Sequence, residues 1–214
     1  EIKWDAEAAE KAGYEHFMIK EIHEQPKAVE DTLHSIVKDG KIEIGLSDEE
    51  IQAITQIYIV ACGSAWHVGM QAQYVIEELA DVPVRVELAS EFRYRKMSLR
   101  PSSLVILISQ SGETADTLAA LRLAKEKGVK TLAVVNVVGS SIAREADTVL
   151  YTLAGPEISV ATTKAYSAQL IAMDCLAVKF AQVRRGTEVG KYVEELTSIP
   201  KKIEKILEEK ERIQ

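Results

Sequence analysis

The chain has 214 residues, 47% of them hydrophobic, 28% charged and 6% aromatic, and its 26 basic against 33 acidic side chains leave a formal charge of −7. Disordered, collagen-like and coiled-coil chains do not have this composition, and a domain of this length buries roughly 70% of the surface its unfolded form exposes without disulfides or a structural metal. The acidic balance, with no basic block interleaved with aromatics, argues against nucleic acid as a partner, and no apolar run approaches the roughly 20 residues of a membrane helix.

The chain opens with a charged lead-in whose first residues, Glu1-Ile2-Lys3-Trp4-Asp5, carry no basic stretch ahead of an apolar core. No signal peptide is therefore expected, and the location implied is cytoplasmic. Residues 15–25 have helical periodicity, and Pro26 breaks them from a second helix to about residue 38. Asp39-Gly40-Lys41 makes a turn, and Ser47 with Glu50 three positions later reads as a capping box for a short helix. Residues 1–46 are thus expected to be a linker and helices packed on a domain spanning 47–214.

From residue 57 onward the pattern changes. Short β-branched runs at 57–61, 84–88, 104–108, 131–135 and 148–153 alternate with helical segments at 65–80, 90–95, 114–127 and 141–146. Continuous apolar runs indicate strands covered on both faces, and the alternation predicts a three-layer α/β/α fold around a five-stranded parallel sheet. Helices at 163–182 and from 187 onward close the domain. Cys62 and Cys175 sit in apolar stretches with no paired spacing and read as small buried hydrophobes of a reducing compartment. The four histidines, His16, His23, His34 and His67, do not cluster with carboxylates, so no metal site is expected.

Ligands of such sheets bind beyond the carboxyl ends of the strands, and three of the loops there are unusual. The first, Cys62-Gly63-Ser64-Ala65, places a glycine and a hydroxyl at a helix start, where unpaired N–H groups and the helix dipole favour an anion. The second, Ser109-Gln110-Ser111-Gly112-Glu113-Thr114, is far more polar than a strand-to-helix connection needs. Its hydroxyls and the N–H groups over Gly112 are able to surround a phosphate with neutral donors, provided Glu113 points away or caps its own helix. The third, residues 154–164, turns at Gly155-Pro156 and returns small and hydroxyl residues to the same edge; Lys164 is a candidate cation near the ligand, but in the first turn of a helix the expectation is that it is solvated. No GxGxxG, GxxxxGK[ST] or GxSxG pattern occurs, which disfavours dinucleotide, P-loop and serine-nucleophile readings.

At these loops the chain resembles the sugar isomerase (SIS) domain family, and within it the first of the two such domains in the glutamine-fructose-6-phosphate aminotransferases (isomerizing), the glucosamine-6-phosphate synthases. The resemblance rests on His16-Phe17-Met18, Lys20-Glu21-Ile22, Glu24-Gln25-Pro26, Ala61-Cys62-Gly63-Ser64, Ala89-Ser90-Glu91-Phe92-Arg93-Tyr94, the run 109–117, Asn136, Arg144-Glu145-Ala146-Asp147 and the run 154–166. It implies a flavodoxin-like sheet holding the phosphate of fructose 6-phosphate or glucosamine 6-phosphate. By this likeness Ser109, Ser111 and Thr114 hold the phosphate, Gln110 bonds phosphate or sugar, Gly63 and Ser64 complete the cradle, and Val160, Ala161 and Thr162 approach the sugar chain. The family often has threonine then serine where this chain has Ser64 and Ala65, and tyrosine where it has Trp66.

The resemblance implies an enzyme without metal or organic cofactor, converting fructose 6-phosphate and glutamine to glucosamine 6-phosphate and glutamate. The glutaminase domain and the second SIS domain of such enzymes are not in these residues. The expectation is therefore a chain that binds the sugar phosphate, supplies no catalytic residue of its own and self-associates as a homodimer. Two other readings stand beside it: a free-standing regulatory SIS module, and an independent phosphosugar isomerase using Glu91, Glu157 or His67.

Overall fold

The computed structural model describes residues 10–213; the lead-in at residues 1–9 lies outside the described residues. In chain order the elements are α1 (Phe17–His23), α2 (Gln25–Ile36), β1 (Val37–Lys38), β2 (Lys41–Ile42), α3 (Asp48–Ala53), β3 (Gln56–Ala61), α4 (Ser64–Ala80), β4 (Val84–Leu88) and α5 (Ala89–Phe92). They continue as β5 (Ser103–Ser109), α6 (Ala115–Glu126), β6 (Lys130–Val135), α7 (Ser141–Glu145), β7 (Thr148–Tyr151), α8 (Lys164–Arg185), α9 (Gly190–Glu208) and α10 (Lys210–Ile213).

Five strands form one parallel sheet in the order β4-β3-β5-β6-β7, so its first strand lies between its second and third, as in flavodoxin-like folds. Each central strand divides its side chains cleanly by parity. Ile57, Ile59, Leu104, Ile106, Leu132 and Val134 face the layer that contains α4 and α8. Tyr58, Val60, Val105, Leu107, Ala133 and Val135 face the layer of α5, α6 and α7. This double burial explains the unbroken apolar runs in the sequence.

The termini of several elements differ from the sequence expectation for local reasons. The helix expected to reach residue 38 stops at Ile36, where residues 37–42 form a two-stranded hairpin around Asp39 and Gly40, both at positive φ. β7 ends at Tyr151 instead of 153, because Leu153 takes φ 47° and turns the chain out of the sheet. α8 runs past 182 to Arg185 and is stopped by Gly186 in the left-handed region. The capping box at Ser47 forms, with the Ser47 and Glu50 side chains each accepting the other's backbone N–H. α2 packs on α8 and α9 and holds the N-terminal helices against one face.

Candidate functional site

Strand β3 continues into α4 on one face and β5 into α6 on the other, so the loops leaving these adjacent strands part and open a crevice between them. A cleft of about 310 Å³ occupies this point. Of the residues proposed from sequence, Ser64, Ser109, Gln110, Ser111, Thr114, Val160 and Thr162 line it together. Gly63 and Ala161 do not line it. Gly63 instead supplies the turn into α4, with φ 58° and ψ −133°, and its carbonyl accepts the Trp66 N–H at 3.1 Å.

The loop after β5 is built from short local bonds. Ser109, 3% exposed, accepts the Gly112 N–H at 3.0 Å and lies 3.1 Å from the Thr114 hydroxyl, while Ser111 accepts the Glu113 N–H at 3.2 Å. Gly112 takes φ 66°, and a Cβ there would stand 2.0 Å from Ser140 Oγ. Only glycine fits both the backbone and the space.

Three bonds from the loop following β6 and the first turn of α7 pin this segment from behind. The Asn136 N–H donates to the Gln110 carbonyl at 3.1 Å, the Ile142 N–H to the Gly112 carbonyl at 3.0 Å, and the Ser141 N–H to Glu113 Oε1 at 2.7 Å. Glu113 thus points away from the cleft, as expected, but it caps α7 rather than its own helix. The Ser141 backbone N–H, then its hydroxyl, hold the Glu113 carboxyl below its ordinary pKa. Asn136 also ties the neighbouring strand exit: its side chain accepts the Ala154 N–H at 2.7 Å and donates to the Gly155 carbonyl at 2.7 Å.

The third loop forms the opposite lip. Glu157 Oε1 accepts the N–H groups of Thr163 at 2.8 Å and Ala165 at 3.2 Å, and Oε2 accepts the Thr162 hydroxyl at 2.8 Å. From α1, Glu21 accepts the N–H groups of Ile158 and Ser159 and the Ser159 hydroxyl. Lys164 is not solvated: it is 3% exposed and ion-paired with Glu24 at 2.7 Å, so the charge that local sequence placed near solvent closes α1 onto α8.

The cleft has no basic lining residue. The N-terminal ends of α4, α6 and α8, helices of 17, 12 and 22 residues, meet it through Ser64, Thr114 and Thr162. Hydroxyls and the N-terminal ends of α4 and α6 therefore face the space, an arrangement suited to an oxyanion, while the start of α8 is already capped by the Glu157 carboxylate. Cys62, Ala65, Ile108, Ser159 and Gln169 also line it without being nominated as site residues from sequence. Gln169, 4% exposed, left one signal: an amide within the apolar side of α8. Of Glu91, Glu157 and His67, only Glu157 lines the cleft, and both of its oxygens are engaged.

Comparison with known proteins gives concordant results. The SIS domain profile matches residues 50–179. A glutamine-fructose-6-phosphate aminotransferase (isomerizing) of Clostridium tetani is 57% identical over 97% of this chain and 35% of its own length. One from Methanosarcina mazei is 50% identical over 99% of this chain and 36% of its own. The chain thus spans about a third of the length of these curated relatives. Among solved structures, the C-terminal domain of glucosamine-fructose-6-phosphate aminotransferase from Francisella tularensis superposes with a TM-score of 0.85 at 43% identity, covering 89% of this chain and 56% of that one. A glucosamine-6-phosphate deaminase from Thermotoga maritima, at 22% identity and a TM-score of 0.68, covers 87% of this chain and 54% of its own and shares the fold. Among the described residues no helix is long and apolar enough to cross a membrane.

Proposed function

This chain belongs to the SIS domain family, and from that premise we propose that its cleft binds the phosphate end of fructose 6-phosphate or glucosamine 6-phosphate, as the first SIS domain of a glutamine-fructose-6-phosphate aminotransferase (isomerizing). The observation that carries the reading is the hydroxyl loop at 109–114, set between the N-termini of α4 and α6 at the switch point of the sheet. The hydroxyls of Ser64, Ser109, Ser111 and Thr114 donate to the phosphate oxygens, with backbone N–H groups at the starts of α4 and α6. Ala65 has no hydroxyl, and its backbone N–H serves in place of one. Gln110 hydrogen-bonds the phosphate or a sugar hydroxyl, and the 160–162 segment directs the sugar chain across the lip.

In the reaction of the whole protein, glutamine-derived ammonia forms an imine at C2 of the sugar, and proton transfer between C1 and C2 yields the amino sugar, with glutamate as the second product. We assign this chain the holding and orienting of the phosphate end, and no proton-transfer group. Residues 47–214 are the SIS domain and 1–46 its N-terminal segment, of which the described part, residues 10–46, packs on it. The chain works in the cytoplasm, beside a second SIS domain and a glutaminase domain of the parent protein, and associates as a homodimer.

Calorimetric titration with fructose 6-phosphate and glucosamine 6-phosphate tests the reading, with fructose as control. Saturable heat that requires the phosphate supports it; no heat and no thermal shift at millimolar ligand would overturn it. Conversion of glucose 6-phosphate to fructose 6-phosphate by this chain alone, lost in Glu157→Gln, would establish the independent isomerase instead.

A further inference from the structure

A second concavity, of about 420 Å³, opens at the other end of the sheet, where β3 and β5 begin beside the edge strand β4. Its chemistry is the opposite of the cleft's. Arg85 from β4 and Arg95, Lys96 and Arg100 from the connection to β5 line it, interspersed with Thr55, Gln56, Ser98 and Ser103. No acidic side chain lines it. Glu87 accepts two bonds of 3.0 Å from Arg95 Nη1, which fixes that guanidinium. Arg85, Lys96 and Arg100 have no ion-pair partner among the described residues. The Arg100 carbonyl accepts the Ser103 N–H at 2.8 Å, so the loop that carries the cations is anchored to β5 where it returns. The Tyr58 ring, buried edge-on against Phe92, gives the concavity one apolar wall.

Four cations against one nearby carboxylate leave a local excess of three positive charges in a chain whose net charge is −7. Gathered around one hollow, these charges repel one another unless an anion is shared between them. A single phosphate occupies one or two such groups. Cations contributed by two separate segments match an anion with charge at more than one centre, and guanidinium groups match phosphate oxygens in geometry as well as charge. The volume is that of a small-molecule site, for which about 300–1,000 Å³ is usual. The acidity of the remaining chain works against nucleic acid. We propose that this concavity binds a small molecule bearing two or more linked phosphates, with Arg85, Lys96 and Arg100 as its charge partners, at the opposite end of the strands from the sugar-phosphate cleft.

Backbone-amide NMR titration tests this, using magnesium-free inorganic tripolyphosphate and ADP at constant ionic strength. The expected result is saturable shifts at Thr55, Ser98 and Ser103 whose midpoint differs from that of any shifts at residues 109–114. The triple variant Arg85→Ala, Lys96→Ala, Arg100→Ala should bind at least about tenfold more weakly at an unchanged melting temperature, since all three side chains are exposed. Should the triple variant melt early, Lys96→Glu alone provides the same readout. Equal affinity for both probes supports a site for the phosphates alone; tighter ADP supports the same site with a base contact added. Shifts confined to 109–114, a non-saturable response, undiminished binding in the variants, or response only to duplex DNA or an acidic peptide would each overturn the proposal, and none of these outcomes depends on whether fructose 6-phosphate binds the cleft.

Discussion

The Glu21 carboxylate on α1 accepts the backbone N–H of Ile158 at 2.6 Å, across 137 positions of sequence. With the Ser159 N–H at 3.1 Å and the Ser159 hydroxyl as further donors, one buried side chain fixes the lip of the cleft. A carboxylate accepts with both oxygens, whereas a carboxamide presents one oxygen and an N–H₂ group that opposes these donors. Glu21→Gln should therefore cost about 1–3 kcal/mol in stability and weaken sugar-phosphate binding. Chemical denaturation and calorimetry read these effects, and hydrogen exchange should quicken at residues 158 and 159.

The two serines of the polar loop should separate by readout. Ser109 is buried and accepts the Gly112 N–H, so Ser109→Ala leaves that donor unpaired and loses about 1–2 kcal/mol of stability as well as affinity. Ser111 accepts only the Glu113 N–H, at an exposed position. Ser111→Ala should lower affinity about tenfold or more with little change in melting, because a hydrogen bond to a charged ligand contributes about 1.5–3 kcal/mol. Paired melting and titration curves distinguish the variants.

At Gly112 the conflict would be steric as well as conformational. Gly112→Ala places a methyl group against Ser140 Oγ and Cβ, at 2.0 and 2.5 Å, and should destabilise the chain by at least about 2 kcal/mol. Adding Ser140→Gly removes both contacts. It should restore part of the loss and leave the left-handed backbone strain of about 1–2 kcal/mol. Urea denaturation of the single and double variants measures the division.

Asp174 on α8 faces Gln71 of α4, where burial raises its carboxyl pKa, partly offset by the Gln71 amide that donates to it at 3.2 Å. A raised carboxyl binds its proton more tightly in the folded chain. Its contribution to stability is thus greatest in acid and declines as pH rises from the ordinary value of 3.8 through the folded one. Asp174→Asn has no ionised form, and its N–H₂ offers a donor beside the buried, unpartnered Gln71 Oε1. The variant should melt above the wild-type chain at pH 7, with the gap narrowing toward about pH 3, as followed by calorimetric melting.

The alternation of strands and helices was legible because parallel strands buried on both faces write continuous apolar runs, and the 109–114 loop because its polar excess is local. Lys164 was misread for the converse reason. Its partner, Glu24, is 140 positions away, and periodicity around residue 164 holds no trace of it. The commitment of Glu157 to the start of α8, and of Glu113 to the start of α7, likewise depends on backbone N–H groups whose direction appears only once the loops are folded. Gln169 reaches the cleft from the interior of a helix, outside the loops where a strand-end argument looks.

The chain has two cysteines, and their surroundings differ. Cys175 is fully buried in α8, and desolvation pushes its thiol up to about 12, which keeps it protonated and silent toward alkylating reagents. Cys62 is partly open and forms part of the cleft wall. A thiol reagent added to the unmodified protein thus has one address, at the rim of the phosphate cradle. The rate at which that sulfur is labelled, with and without sugar phosphate, provides a native gauge of cleft occupancy, with no probe introduced by mutation.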